Sequence, residues 1–159
     1  MRNFVLPVLL ILVIFGTGCL KDNTCSPKTT ASEAAQIQAY ALANGINATA
    51  HSSGLYYEVI NPGSGATATA NSNIVITYTG KLTNGTIFDQ QTTPNNTSVN
   101  PPWPLNQLIE GWRLGIPLIQ EGGHIKLIIP SALAYGCIGK NSIPGDAILF
   151  FDIELLDVQ

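Results

Sequence analysis

The side chains able to do chemistry in this sequence are few, and none falls into a covalent or metal-assisted pattern. Two histidines, His51 and His124, stand alone, and no pair of potential ligands has metal-ligand spacing. Each histidine reads as a surface or turn residue. No glycine-rich phosphate loop opens a helix, and no serine sits in a nucleophile elbow. The sequence therefore calls for no metal and no other cofactor. Lysine and arginine number 7 against 10 acidic residues, so the chain offers no basic face to nucleic-acid phosphates. What remains is a set suited to non-covalent recognition: Tyr78, Phe88, Trp112 and Phe151, with Asp89 and Tyr135. Taken singly, the first four fit an ordinary core, and Asp89 fits a hydrogen bond within its own hairpin. Tyr135 is harder to assign to a core, because it stands among glycines in a loop. Glu110, Asp152 and Glu154 read as solvated faces.

Strands and turns must position these residues, since the chain holds 15 glycines and 10 prolines. Leu55 to Ile60 reads as a strand, followed by the turn formers Asn61-Pro62-Gly63-Ser64-Gly65. From Ile74 to Thr79 the pattern alternates, with Ile74, Ile76 and Tyr78 on one face and Val75, Thr77 and Thr79 on the other. Asn84-Gly85 is a strong hairpin signal. Ile125 to Ile129 is another strand, bounded by Gly122-Gly123 and Pro130. Ala147 to Val158 places Phe151, Ile153 and Leu155 on one face and Phe150, Asp152 and Glu154 on the other, which suits a sheet wet on one side. A helix is expected within Leu105 to Ile119, cut short at Gly115-Ile116-Pro117. The class is α+β, with an antiparallel sheet over a short helix. The polar stretch Gln90 to Pro102 reads as a long loop, a feature often tied to function. Upstream, Thr30 and Glu33 match a capping box, Ala34, Ile37, Tyr40 and Ala41 share a face, and Asn44-Gly45 supplies a stop. That helix reads as a spacer in preference to a contact surface.

The first residues read as an address. One basic residue, Arg2, precedes an apolar run from Phe4 that ends in Gly16, Thr17, Gly18 and Cys19. The run is shorter than the roughly 20 residues of a membrane span and has the organisation of an export signal. Small residues leading into a cysteine look like a lipobox, whose thiol is lipidated and becomes the new N-terminus. Gly16 stands where a leucine is usual, and a plain secretion signal or short anchor is the alternative. The expected segments are a signal peptide at 1–18, a tether with a short helix at 19–50 and a domain at 51–159. Cleavage would leave 159 − 18 = 141 residues, and loss of Arg2 would take the formal charge from −3 to −4. The implied location is a bacterial cell envelope, anchored by lipid on Cys19 and facing the periplasm from the outer membrane. Cys25 and Cys137 remain as an even pair in an oxidising compartment. They either join tail to domain, or Cys137 fills a small buried space.

Several strings in order resemble the FKBP-type peptidyl-prolyl cis/trans isomerase family. Tyr78-Thr79-Gly80 with Gly85 and Phe88-Asp89 resembles its first signature, and Leu108-Ile109-Glu110-Gly111-Trp112 the start of its central helix. Ala134-Tyr135-Gly136, Ile143-Pro144 and Phe150-Phe151-Asp152-Ile153-Glu154-Leu155-Leu156 are similar to its later loop and terminal strand. The match runs from about Ser53 to Val158. It implies an antiparallel half-barrel around one short central helix, here preceded by an N-terminal helix, with a proline pocket between sheet and helix. Carried over, Tyr78, Phe88, Trp112 and Phe151 form the aromatic walls and floor, and Leu108 and Ile109 line one side. The N–H of Ile109 holds a substrate carbonyl, Asp89 and Tyr135 make polar contacts at the rim, and Ile143 closes the mouth. The implied partners are proline-containing polypeptides of exported proteins and the family's macrolide inhibitors. One departure is plain: no basic residue follows Asp89 before Arg113, where many members carry one. The alternative function is a non-catalytic binding module or holdase, motivated by the altered loop from Gln90 to Pro102.

Overall fold

The structure is a computed structural model that describes residues 25–159. The proposed signal peptide and Cys19 lie outside the described residues. Helix α1, Thr30–Ala43, begins one residue earlier than the capping-box reading: Thr29 is the cap, and its hydroxyl accepts from the Ser32 N–H at 3.2 Å. Glu33 does not fold back onto the helix start. Its carboxylate accepts from the Ser131 backbone N–H at 2.7 Å and hydroxyl at 3.1 Å. A buried N–H that would otherwise go unpaired outcompetes an exposed one that water can serve. The helix stops at Asn44, and Gly45 takes φ +65°, as the sequence predicts.

Seven strands follow: β1, Thr49–Ala50; β2, Tyr56–Asn61; β3, Asn73–Leu82; β4, Ile87–Gln91; β5, Trp103–Pro104; β6, Gly123–Ile129; and β7, Leu149–Val158. Helix α2, Glu110–Gly115, lies between β5 and β6, flanked by 3-10 turns at Leu105–Gln107 and Ile116–Leu118. A further 3-10 turn, Ser131–Leu133, follows β6. All ladders are antiparallel, in the order β1-β2-β6-β7-β3-β4, with β5 also on β3. At the β3–β4 hairpin the Gly85 N–H donates to Leu82 O at 2.9 Å with φ +88°, the turn that Asn84-Gly85 predicts.

Period-two alternation assigns the sheet's faces. Ile74, Ile76, Tyr78, Ile125, Leu127, Ile129, Phe151, Ile153 and Leu155 join Trp112, Ile116 and Ile119 in the main core. On the opposite face, Tyr56, Ile128 and Phe150 form a second core with Ile37, Ala41 and Ile46. The helix read as a spacer is thus part of the fold, since burying Ile37 alone contributes about 1.5–3 kcal/mol. Phe150, expected on a wet face, is dry because α1 covers it. Beyond the helix that face is polar: His124 contacts Asp152, and Lys126 lies 3.7 Å from Glu58. His124 therefore has a partner on the next strand, whereas His51 sits in a turn with Ser53.

The expected loop from Gln90 is shorter than predicted, because Gln90 and Gln91 pair with Thr79 and Tyr78. Beyond them, β3 would have orphan groups before β5 takes over at Ile74. Asn95, with no exposed surface, fills the gap. Its Oδ1 accepts from the Ile76 N–H at 2.7 Å, and its Nδ2 donates to Ile74 O at 3.0 Å.

Candidate active site

Between α2 and the main-core face of the sheet lies a cavity of about 300 Å³. Its rings meet edge to face, the arrangement that aromatic quadrupoles favour. Tyr78 and Trp112 have centroids 4.9 Å apart at 85°, Trp112 and Phe151 5.1 Å at 84°, and Phe88 and Phe151 5.5 Å at 90°. Strand register sets this up. Gly80 is opposite Phe151 on β7 and Asp89 on β4, so Tyr78 lies diagonal to Phe151. A Cβ on Gly80 would come within 2.8 Å of the Phe151 ring and 2.9 Å of Phe88, so only glycine lets the two rings close over β3. On the helix side, a Cβ on Gly111 would meet the Ile129 side chain at 2.4 Å, so glycine lets α2 settle against β6.

Helix α2 supplies the floor. Trp112 is 4% exposed, and its indole N–H has no partner among the described residues. Ile109 caps the helix with its carbonyl, accepting from Trp112 and Arg113, while its own N–H donates to no group among the described residues. The Ile109 N–H is thus left for an occupant of the cavity that Ile109 lines, whereas the Trp112 indole N–H is buried. Glu110 points away, 2.9 Å from Arg113, as a solvated residue should.

The polar groups converge on Asp89. The Tyr78 hydroxyl donates to Asp89 Oδ2 at 2.6 Å. Burial, reinforced by that hydrogen bond and the carboxylate's charge, pushes the Tyr78 phenol far above its ordinary value. The Tyr135 phenol is also raised, first by burial and then by the charge on Asp89. Both tyrosines are therefore neutral donors at physiological pH.

Of the sequence-predicted residues, Tyr78, Phe88, Asp89, Leu108, Ile109, Trp112, Tyr135 and Phe151 all line this cavity. Ile143 does not. It is buried beside an adjoining recess of about 250 Å³, which shares Phe88, Asp89, Tyr135 and Lys140 with the cavity. Three lining residues escaped the sequence reading: Trp103, Gln107 and Lys140. Lys140 Nζ lies 5.4 Å from the centroid of the Tyr135 ring, within cation–π range. A cation does reach the site, although none follows Asp89 in sequence before Arg113. The cysteine question is also answered, because Cys25 and Cys137 are joined, with Cα atoms 5.6 Å apart.

Comparison with known proteins agrees with this geometry. The family model for FKBP-type peptidyl-prolyl cis-trans isomerase matches residues 65–156. FkpA of Aeromonas hydrophila is 43% identical over 107 residues, which cover 67% of this chain and 39% of that protein. FkpA of Escherichia coli K12 is 40% identical over 108 residues, covering 68% and 39% respectively. The chain thus spans about two fifths of the length of these curated relatives. Among solved structures, E. coli FkpA aligns with a TM-score of 0.68 at 34% identity, over 82% of this chain and 61% of that one. A peptidyl-prolyl cis-trans isomerase from Pseudomonas syringae aligns with a TM-score of 0.67 at 27% identity, over 84% and 98%. The sheet, the cavity and the matched residues lead to one conclusion: the chain belongs to the FKBP-type peptidyl-prolyl cis-trans isomerase family.

Proposed function

We propose that this chain catalyses cis/trans isomerisation of Xaa-Pro bonds in exported polypeptides. The observation that carries the reading is the cavity of edge-to-face rings lined by Ile109, whose backbone N–H is unused. Rotation about an amide has a barrier of roughly 18–20 kcal/mol, because resonance must be broken. The two Xaa-Pro isomers differ by only about 0.5–1 kcal/mol, so the catalyst has a rate to change and no equilibrium to move. Its task is to bind the twisted amide better than either planar form. A twisted amide has less charge separation across C–N, so a water-poor aromatic pocket favours it. Trp112 and Phe151 take the proline ring by shape, Tyr78 and Phe88 wall it, and Leu108 lines the side. The Ile109 N–H holds a flanking carbonyl, while Asp89 and Tyr135 fix the substrate backbone at the rim. Ile143 shapes the adjoining recess. The same pocket suits the family's macrolide inhibitors.

The leader before Cys19 supports export and lipid anchoring, with the signal at 1–18 and the isomerase domain at 51–159; of the 19–50 stretch read as a tether, the part from α1 onward packs on that domain. In this reading the protein faces the periplasm from the outer membrane. Cys25 is six residues beyond Cys19, so a lipid there would hold the domain close to the bilayer.

A protease-free assay of exchange in a short Xaa-Pro peptide, using the full chain, tests the activity. Fast exchange that a macrolide blocks and Phe88→Ala abolishes is the expected result. Exchange at the uncatalysed rate from a folded chain sinks the proposal. A second reading, a holdase, draws on Val99 (93% exposed) and Ile138 (86% exposed), both in loops that border the site. It predicts that Phe88→Ala still suppresses client aggregation.

A further inference from the structure

One short stretch, residues 25 to 33, reaches the loop after β6 at three places. Cys25 is bonded to Cys137, Lys28 Nζ lies 3.9 Å from Asp146 Oδ2, and Glu33 takes the Ser131 N–H and hydroxyl. Ser131 opens the loop, Cys137 lies near its middle and Asp146 near its end, so the attachments span its length. Lys28 is also 3.8 Å from Glu33, which joins two of the attachments to each other. Glu33 is 2% exposed. A carboxylate so placed is unusual unless it answers a specific donor.

The loop itself holds together. The Gly136 N–H donates to Ser131 O at 2.9 Å and the Asp146 N–H to Gly136 O at 2.8 Å, while Lys140 and Ile143 exchange a reciprocal pair of backbone bonds. Whatever fixes its ends and middle therefore fixes the whole. Tyr135 and Lys140, which line the cavity, stand between the attachment points. None of Cys25, Lys28 and Glu33 lines the cavity, and all three precede the residues that match the family model.

We propose that Cys25, Lys28 and Glu33 are positioning residues of the site: they hold the 131–146 wall so that Tyr135 and Lys140 stand where a substrate meets them. The site then depends on a strap outside the family domain. This rests on the isomerase reading for its kinetic consequence, and on geometry alone for its mechanical one. Displacing a positioned group by about 1 Å can cost as much as 100-fold in rate.

The test compares the full chain with Glu33→Ala, Glu33→Gln, Lys28→Ala and the Cys25→Ser/Cys137→Ser pair. Amide hydrogen exchange over 131–146 is measured beside kcat/KM. Glu33→Ala should speed exchange in that loop while leaving β3 and β7 protected, and should lower kcat/KM about 10-fold. Glu33→Gln keeps an acceptor for the Ser131 N–H and should recover most of both. In a Tyr135→Ala background the strap substitutions should cost less than in the parent, because one of the two groups they position is gone. Unchanged exchange in the loop overturns the proposal. So does a loosened loop with undiminished kcat/KM, or an equal cost in the Tyr135→Ala background. If Glu33→Ala does not fold, Lys28→Ala and the cysteine pair are judged by the same criteria. A wild-type chain that binds the peptide without turnover sinks the isomerase reading alone, and the strap is then judged on the Kd read from tryptophan fluorescence. A wild-type chain that does neither overturns both.

Discussion

Two loops adjoin the cavity, one leading into the lining residue Trp103 and the other carrying Tyr135 and Lys140, and they are held in opposite ways. The loop between β4 and β5 is pinned from its centre, where Asn95 spends its side chain on the Ile74 carbonyl and Ile76 N–H of the strand beside it. Thr97 and Asn100 exchange backbone bonds nearby, and Asn100 accepts from the Trp103 indole at 3.3 Å. Every support lies within about two dozen residues of the loop. The wall from Ser131 to Asp146 is held instead by a stretch about a hundred residues upstream, through a disulfide, a buried carboxylate and an ion pair. The first loop is a local device that travels with the domain. The second makes an active-site wall depend on what precedes the domain.

The largest expected effect separates the two loops by stability. Cys25 and Cys137 are 112 residues apart in sequence. In the chain-entropy account, a closed loop of about 100 residues contributes about 4–5 kcal/mol by restricting the unfolded chain. Cys25→Ser/Cys137→Ser should therefore lower the melting temperature by many degrees in calorimetry, while exchange in the 92–102 loop at temperatures well below the melt keeps its protection. If that loop loosened as well, the two loops would form one cooperative unit and the contrast would fail.

Asn95→Ala comes next. It strands a buried N–H and a buried carbonyl on β3, each costing about 1–3 kcal/mol, so a loss of about 3 kcal/mol is expected by denaturant titration. Asn95→Asp is the sharper variant, because it keeps an acceptor for the Ile76 N–H but turns a carboxylate oxygen toward the Ile74 carbonyl. It should be no more stable than the alanine variant. Recovery of stability with Asp would mean that only the N–H bond matters.

The same contrast explains what the sequence revealed. Strands, the Asn84-Gly85 turn, the stop at Gly115 and eight cavity residues were legible, because each is announced by local periodicity, turn chemistry or an ordered string. Glu33 was misread because its spacing from Thr30 fits a capping box, while its actual partner, Ser131, is 98 residues away. Phe150 looked wet because alternation along β7 cannot show that α1 folds back over it. Asn95 looked like any loop asparagine, and nothing near Asp89 in sequence pointed to Lys140 as the site's cation. Each miss involved a partner brought in by tertiary folding, which no local pattern encodes.

The smallest expected effect is a pH dependence that links the surroundings of the two loops through one carboxylate. Tyr78 comes from the strand beneath the first loop and Tyr135 from the second loop, and Asp89 raises both phenols after burial has done so. A phenol with a raised folded value keeps its proton in the folded chain when the unfolded chain, near 10, has begun to lose it. The stabilisation is therefore complete below about pH 10 and is lost as pH rises toward the folded value. Thermal melts from pH 8 upward should show an alkaline decline that Tyr78→Phe makes shallower, because phenylalanine has no proton to retain. Turnover should stay level through the range in which an exposed tyrosine ionises, since the site's phenols remain neutral donors there. If ultraviolet titration found Tyr78 and Tyr135 ionising near 10, then neither burial nor Asp89 would govern them, and the carboxylate would not join the surroundings of the two loops.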